Sequence, residues 1–146
     1  MRNLFAVYNG EIVLASRNDG SIHKYSLSGS HLGSFSTGYT NTQGVETDGS
    51  NIFVSEWNGS SAYFLEFSAS ISLLEIHGRP SGLSGNNVFG MVYDQTTGDW
   101  YGLDRTGEPS TSTGTDRIVR FEMDGAVVDS YTLSLDIDGL DLLVCD

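Results

Sequence analysis

Apolar and polar residues alternate over short runs along this chain, and clusters of Gly, Asn, Asp and Ser separate the runs. Period-two alternation bounded by such residues reads as half-buried β-strand. Leu4 to Tyr8 and Glu11 to Ser16 flank Asn9-Gly10, a dipeptide suited to the two positive-φ positions of a tight hairpin. Arg17-Asn18-Asp19-Gly20 then turns into Ser21 to Leu27, and Ser28-Gly29 into His31 to Ser36. The order returns with Val45 to Thr47, Asn51 to Trp57, Ala62 to Phe67 and Ile71 to Ile76. It returns again with Met91 to Tyr93, Asp99 to Leu103, Arg117 to Met123 and Val127 to Leu133. No stretch keeps a 3.6-residue apolar period for three turns without a Gly or a Ser/Thr cluster, so almost no helix is expected.

The recurrence extends to residue types. Ile22-His23-Lys24-Tyr25-Ser26-Leu27-Ser28-Gly29 and Ile118-Val119-Arg120-Phe121-Glu122-Met123-Asp124-Gly125 share an apolar, basic, aromatic, polar, apolar, polar, Gly order, with a looser copy at Ala62 to Ala69. Self-similarity of this kind marks a repeat architecture. The pattern predicts an all-β fold of three four-stranded antiparallel meanders, over about 3–36, 44–77 and 89–133, followed by a C-terminal strand at 139–146. The third unit is lengthened by Arg105 to Thr115, rich in Thr, Ser and Gly, which reads as a flexible surface loop or a binding loop.

Composition narrows the partners. The 146 residues suffice for one domain, and 18 Gly against 2 Pro suit many tight turns. Nineteen acidic and seven basic residues give a net charge of −12. Phosphate backbones and anionic membrane surfaces would repel such a chain, so neither nucleic acid nor membrane is an expected partner. The single Cys145 excludes an intrachain disulfide framework. Leu4 to Val7 is too short for the apolar core of a signal peptide, and no apolar run approaches the ~20 residues of a membrane span. The expectation is a cytoplasmic protein, or a component of a particle assembled there.

The chain resembles the NHL-like and six-bladed β-propeller repeat families. Gly44-Val45-Glu46-Thr47-Asp48-Gly49-Ser50-Asn51-Ile52-Phe53-Val54-Ser55-Glu56-Trp57 and Phe64-Leu65-Glu66-Phe67 carry the resemblance, echoed by Gly90-Met91-Val92-Tyr93-Asp94 and Trp100-Tyr101-Gly102-Leu103-Asp104. The resemblance implies three propeller blades, whereas complete propellers have four to eight. Three blades form an open wedge with an apolar sheet face at each end. A homodimer closing a six-bladed ring would bury both, the last blade of one chain on the first of the other. A fragment of a longer propeller, or three blades docked onto a different chain, is the alternative. Gly139 to Val144 resembles another first strand and is expected to cross to the partner as a clasp.

In such meanders the second-to-third turns and the sheet-to-sheet connections fall at one end, where the long loops gather. Loops on a rigid scaffold commonly carry recognition. The candidate binding residues there are Tyr39, Asn41, Trp57, Arg79, Asn86, Asn87 and Arg105, directed at a protein or glycan. Trp57 could equally pack between blades.

The second reading is enzymatic. Gluconolactonase-like propellers hold a divalent metal with channel carboxylates and amides, so the resemblance implies Glu46 as a ligand for Ca²⁺ or Mg²⁺ in a lactonase or esterase. Asp48 and Asp94 are better explained by their turns. His23, His31 and His77 share no zinc spacing, and neither a nucleophile elbow nor a phosphate loop is present. The expected function is therefore a non-catalytic module that self-associates and binds a partner, without a cofactor.

Overall fold

A computed structural model describes residues 5–57, 59, 61–85, 87–105 and 116–133, with the side chains of Asn87 and Arg105 outside that description. Twelve strands are found there: β1 (Phe5–Tyr8), β2 (Glu11–Ser16), β3 (Ser21–Ser26), β4 (His31–Ser36), β5 (Thr42–Thr47), β6 (Ile52–Trp57), β7 (Ala62–Phe67), β8 (Leu73–His77), β9 (Asn87–Asp94), β10 (Asp99–Arg105), β11 (Asp116–Phe121) and β12 (Val127–Thr132). They form three four-stranded sheets, each an antiparallel meander in chain order. The described residues contain no helix, and so none long and apolar enough to cross a membrane.

The turns explain the register. Asn9 and Gly10 both adopt positive φ, 51° and 74°, and close β1 directly onto β2 with Tyr8 opposite Glu11. Every third-to-fourth strand pair carries an irregularity at its turn end: between Lys24 and Tyr25, between Glu66 and Phe67, and between Arg120 and Phe121. Aligning the sheets on that shared feature makes Ile12, Ile52 and Trp100 equivalent, because each faces the aromatic residue at the irregularity across the second and third strands. Ile71 sits at the turn position held by Gly29 in the first sheet, and has φ 60° despite its branched Cβ. Such strain persists only when the surroundings enforce it; Ile71 packs against the core between the first two sheets.

The sheets meet at their first two strands. β5 lies against β1 and β2 on one side, and β9 lies against β5 and β6 on the other. One core, built from Tyr8, Val13, Ala15 and Ile22 against Val45, Ile52, Val54, Leu65 and Phe67, joins the first and second sheets. A second, built from Phe53, Ala62 and Phe64 against Val88, Met91, Trp100, Val119 and Phe121, joins the second and third. Phe64 and Phe121 stack with ring centroids 5.4 Å apart. The fourth strands β4, β8 and β12 are mostly exposed.

Several boundaries differ from the sequence reading. β5 starts at Thr42 and β9 at Asn87, earlier than the apolar runs alone indicate. In both strands a register shift breaks the alternation, leaving Gln43 in β5 and Gly90 in β9 without a partner in the neighbouring strand. The far face of the third sheet is also unlike the exposed wedge end that was expected. Phe89, Val92 and Leu103 point away from the core shared with the second sheet, yet are only 3%, 4% and 0% exposed. The expected C-terminal strand at 139–146 lies outside the described residues.

Candidate functional site

The loop-bearing end is organised around Glu56, at the end of β6. Pairing with Thr42 across β5 and with Tyr63 across β7 places its side chain in the interior, where it is 1% exposed. One carboxyl oxygen accepts the Thr42 hydroxyl at 2.5 Å, and the other accepts the Asn41 amide at 3.0 Å. Burial pushes the Glu56 carboxyl above its usual range, against those two hydrogen bonds. Tyr63 is also raised, by burial and then by the nearby Glu56 and Tyr39. Its ring meets Tyr39 edge-on at 5.7 Å.

The predicted binding residues divide around this centre. Tyr39 and Asn41 are half-buried beside Glu56, the Asn41 carbonyl accepting from the Gln43 side chain at 3.0 Å and from the Trp57 amide at 3.2 Å. Trp57 is half-buried, and its Nε1 is enclosed without a hydrogen-bond partner, as are Gln43 Oε1 and Ser55 Oγ. Arg79 is exposed, and its Nη2 donates to two carbonyl oxygens of its own loop, those of Leu83, at 2.6 Å, and Gly85. Asn86 lies outside the described residues. Asn87 and Arg105 pair across β9 and β10 as strand termini.

The connection from β8 to β9 does not project as a recognition loop. Asp104, fully buried, accepts the amides of Ser84 and Gly85 at 2.8 and 2.7 Å and pairs with the Arg117 guanidinium at 2.5 Å. Three residues before Ser84, the Ser81 carbonyl accepts the Val127 amide at 2.8 Å and the Ser81 amide donates to the Gly125 carbonyl at 3.1 Å. Leu83 enters the core between the second and third sheets. The segment is a packed strap, and sequence reasoning missed it because its anchor, Asp104, looks like one more strand-end carboxylate.

Glu46 is half-buried on β5, and its carboxylate accepts the Thr47 amide at 2.8 Å. It does not belong to the group of converging metal-type donors found among the described residues, which consists of Glu66, Glu75 and His77 with donor atoms within 4.8 Å of one another. Glu66 and Glu75 face each other across β7 and β8, and His77 follows two residues on, which keeps all three side chains on the face toward the third sheet. His77 Nε2 lies 2.8 Å from Glu66, and Nδ1 lies 2.5 Å from Asp124 in the β11–β12 turn. Asn51 donates to the other Glu66 oxygen at 2.6 Å. Burial alone would favour the neutral ring, but hydrogen bonds to Asp124 and Glu66 outweigh it and lift the His77 pKa above the ordinary histidine value.

This cluster has a simpler counterpart between the first two sheets. Lys24, which occupies the register position of Glu66, reaches the Ala69 carbonyl in the β7–β8 turn at 2.8 Å. In both junctions a third-strand side chain ties its sheet to the last turn of the next, directly through Lys24 or by way of His77. The sequence signal for the cluster was Glu75 and His77 two residues apart in a strand, opposite Glu66 in the preceding one. No protein-family model matches the chain, and no curated protein sequence matches it.

Proposed function

We propose that this chain is a three-bladed wedge of a β-propeller that works as a self-associating binding and assembly module. The observation that carries this reading is the identity of the free face on the first sheet. Phe5 and Val7 are 55% and 57% exposed, and Ile12, Leu14, His23 and Tyr25 lie beside them on the same face. Their register equivalents in the second sheet are Val45, Thr47, Ile52, Val54, Leu65 and Phe67, which form the surface packed on the first sheet. Those in the third are Met91, Tyr93, Trp100, Gly102, Val119 and Phe121, packed on the second. The first sheet thus presents a sheet-receiving surface with no sheet on it. Burying apolar area is worth roughly 25 cal/mol per Å², so an open face of this composition favours association.

The occupant we assign is the same face of a second copy. Closing a ring last sheet on first would use the far face of β9 and β10, and Phe89, Val92 and Leu103 there are already buried. The face left open among the described residues then pairs with itself about a two-fold axis, the commonest oligomer symmetry. Recognition of a protein or glycan belongs to the same proposal, with Tyr39 and Trp57 at the loop-bearing end as its contact residues.

Sedimentation velocity over a range of concentrations tests this. The wild type should sediment as a dimer, and Phe5→Asp with Val7→Asp as a folded single chain. A wild type that stays monomeric at every concentration overturns self-association and leaves the face to a sheet of another protein.

A further inference from the structure

We propose that Glu66, Glu75 and His77 form a binding site for a divalent transition-metal ion of the zinc class, with Asp124 and Asn51 holding the ligands in place. Three carboxylates, those of Glu66, Glu75 and Asp124, surround one imidazole. Even a protonated ring leaves this group with two uncompensated negative charges, which a dication neutralises.

The geometry supplies the parts a metal needs. In the metal-free chain both ring nitrogens face carboxylates, Nδ1 against Asp124 and Nε2 against Glu66; an ion taken up between Nε2 and Glu66 would replace the Nε2 proton and leave Nδ1–H donating to Asp124. A carboxylate on the non-ligating nitrogen of a histidine is the usual support of a metal-bound imidazole. Asn51 occupies Oε1 of Glu66 and leaves Oε2, the atom nearest Nε2, for the ion. Glu75 is exposed and makes no hydrogen bond or ion pair with another described residue, so it is free to turn onto the ion. Its exposure also leaves a path for entry and a water on the open fourth position.

The donor set chooses the metal. One imidazole nitrogen and two carboxylate oxygens with an open position suit Zn²⁺, whereas Ca²⁺ takes six to eight oxygens and Mg²⁺ demands an octahedral shell. The ion would sit between β7 and β8, with its histidine tied to the β11–β12 turn. Its first consequence is a tighter junction between the second and third sheets. This site is independent of Glu46 and of the self-association proposed above.

Calorimetric titration of the chelator-treated full chain with ZnCl₂, and thermal unfolding with and without the ion, test the site. The expected result is one zinc per chain and a raised Tm, with neither effect from MgCl₂ or CaCl₂. Glu75→Ala, which removes an exposed side chain, should weaken zinc binding by at least about tenfold in a chain that still folds without metal, and Asp124→Asn should weaken it by about 10- to 100-fold. His23→Gln with His31→Gln, which removes the other histidine pair, should leave binding intact. Absence of zinc binding overturns the proposal. So does binding that survives Glu75→Ala, or that disappears with His23 and His31.

Discussion

Gly44 and Gly90 meet where β5 crosses β9: a Cβ built on Gly44 would stand 3.1 Å from the Gly90 Cα and 3.2 Å from the Ser55 hydroxyl. The neighbouring atoms are backbone on one side and a fully enclosed side chain on the other, so neither yields easily. Gly44→Ala should therefore cost about 1–3 kcal/mol of unfolding free energy by overpacking. Urea denaturation measures it, and an unchanged midpoint would show that the two strands can part at no cost.

A different glycine supports the loop-bearing end. Gly20 has φ 63°, and a Cβ there would come within 2.0 Å of the Tyr39 carbonyl oxygen. Its own carbonyl accepts both the amide and the hydroxyl of Thr37, at 2.7 and 2.8 Å. Gly20→Ala should destabilise by about 2 kcal/mol or more, combining left-handed strain with a backbone clash. Amide exchange at Thr37 and Tyr39 should accelerate more than in the second sheet.

The strap between β8 and β9 depends on Asp104. Replacing it by Ala leaves the Ser84 and Gly85 amides without their acceptor and the Arg117 guanidinium with the Gly82 carbonyl but no counter-charge there. Breaking a buried pair from one side typically costs about 3–5 kcal/mol. Asp104→Ala should fall in that range by chemical denaturation, and limited proteolysis should cut first within 78–85.

Glu56 gives a pH dependence whose sign follows from its burial. Burial raises its folded-state pKa above the ordinary value of 4.5, so its ionised form is penalised in the folded chain. The associated stability is fully present below the unfolded pKa and is lost as pH rises through the folded one. Wild-type stability should therefore carry a declining component upward from about pH 4.5, and Glu56→Gln should flatten it. Thermal unfolding of both proteins across that window reads the difference directly.

Much of this architecture was legible in the chain because local rules decide it. Asn9-Gly10 dictates one hairpin, and the shared Lys24, Glu66 and Arg120 register repeats one sheet three times. The functional geometry was less legible because it depends on distant pairings. Nothing local joins His77 to Asp124, or Asp104 to Ser84 and Gly85, and each link forms only once neighbouring sheets are stacked. Arg79 is a further case: the sequence offers it as a lone cation in a loop, and only the fold shows its Nη2 donating to the carbonyls of Leu83 and Gly85. Glu56 was passed over because a carboxylate in an apolar strand attracts notice only when its burial is known.

The recurring irregularity between third and fourth strands also bears on solubility. β4, β8 and β12 are rim strands carrying exposed Leu32, Phe35, Leu73, Leu74, Ile76, Val128 and Tyr131. A straight ribbon of that composition would template fibril growth by edge-to-edge addition. The extra residue in each rim strand, Leu32, Leu74 or Val128, bends and twists the rim, which spoils the flat, continuous ladder that an incoming strand must match. The same small defect, repeated three times, makes each oily outer margin a poorer template for polymerisation than a straight strand would be.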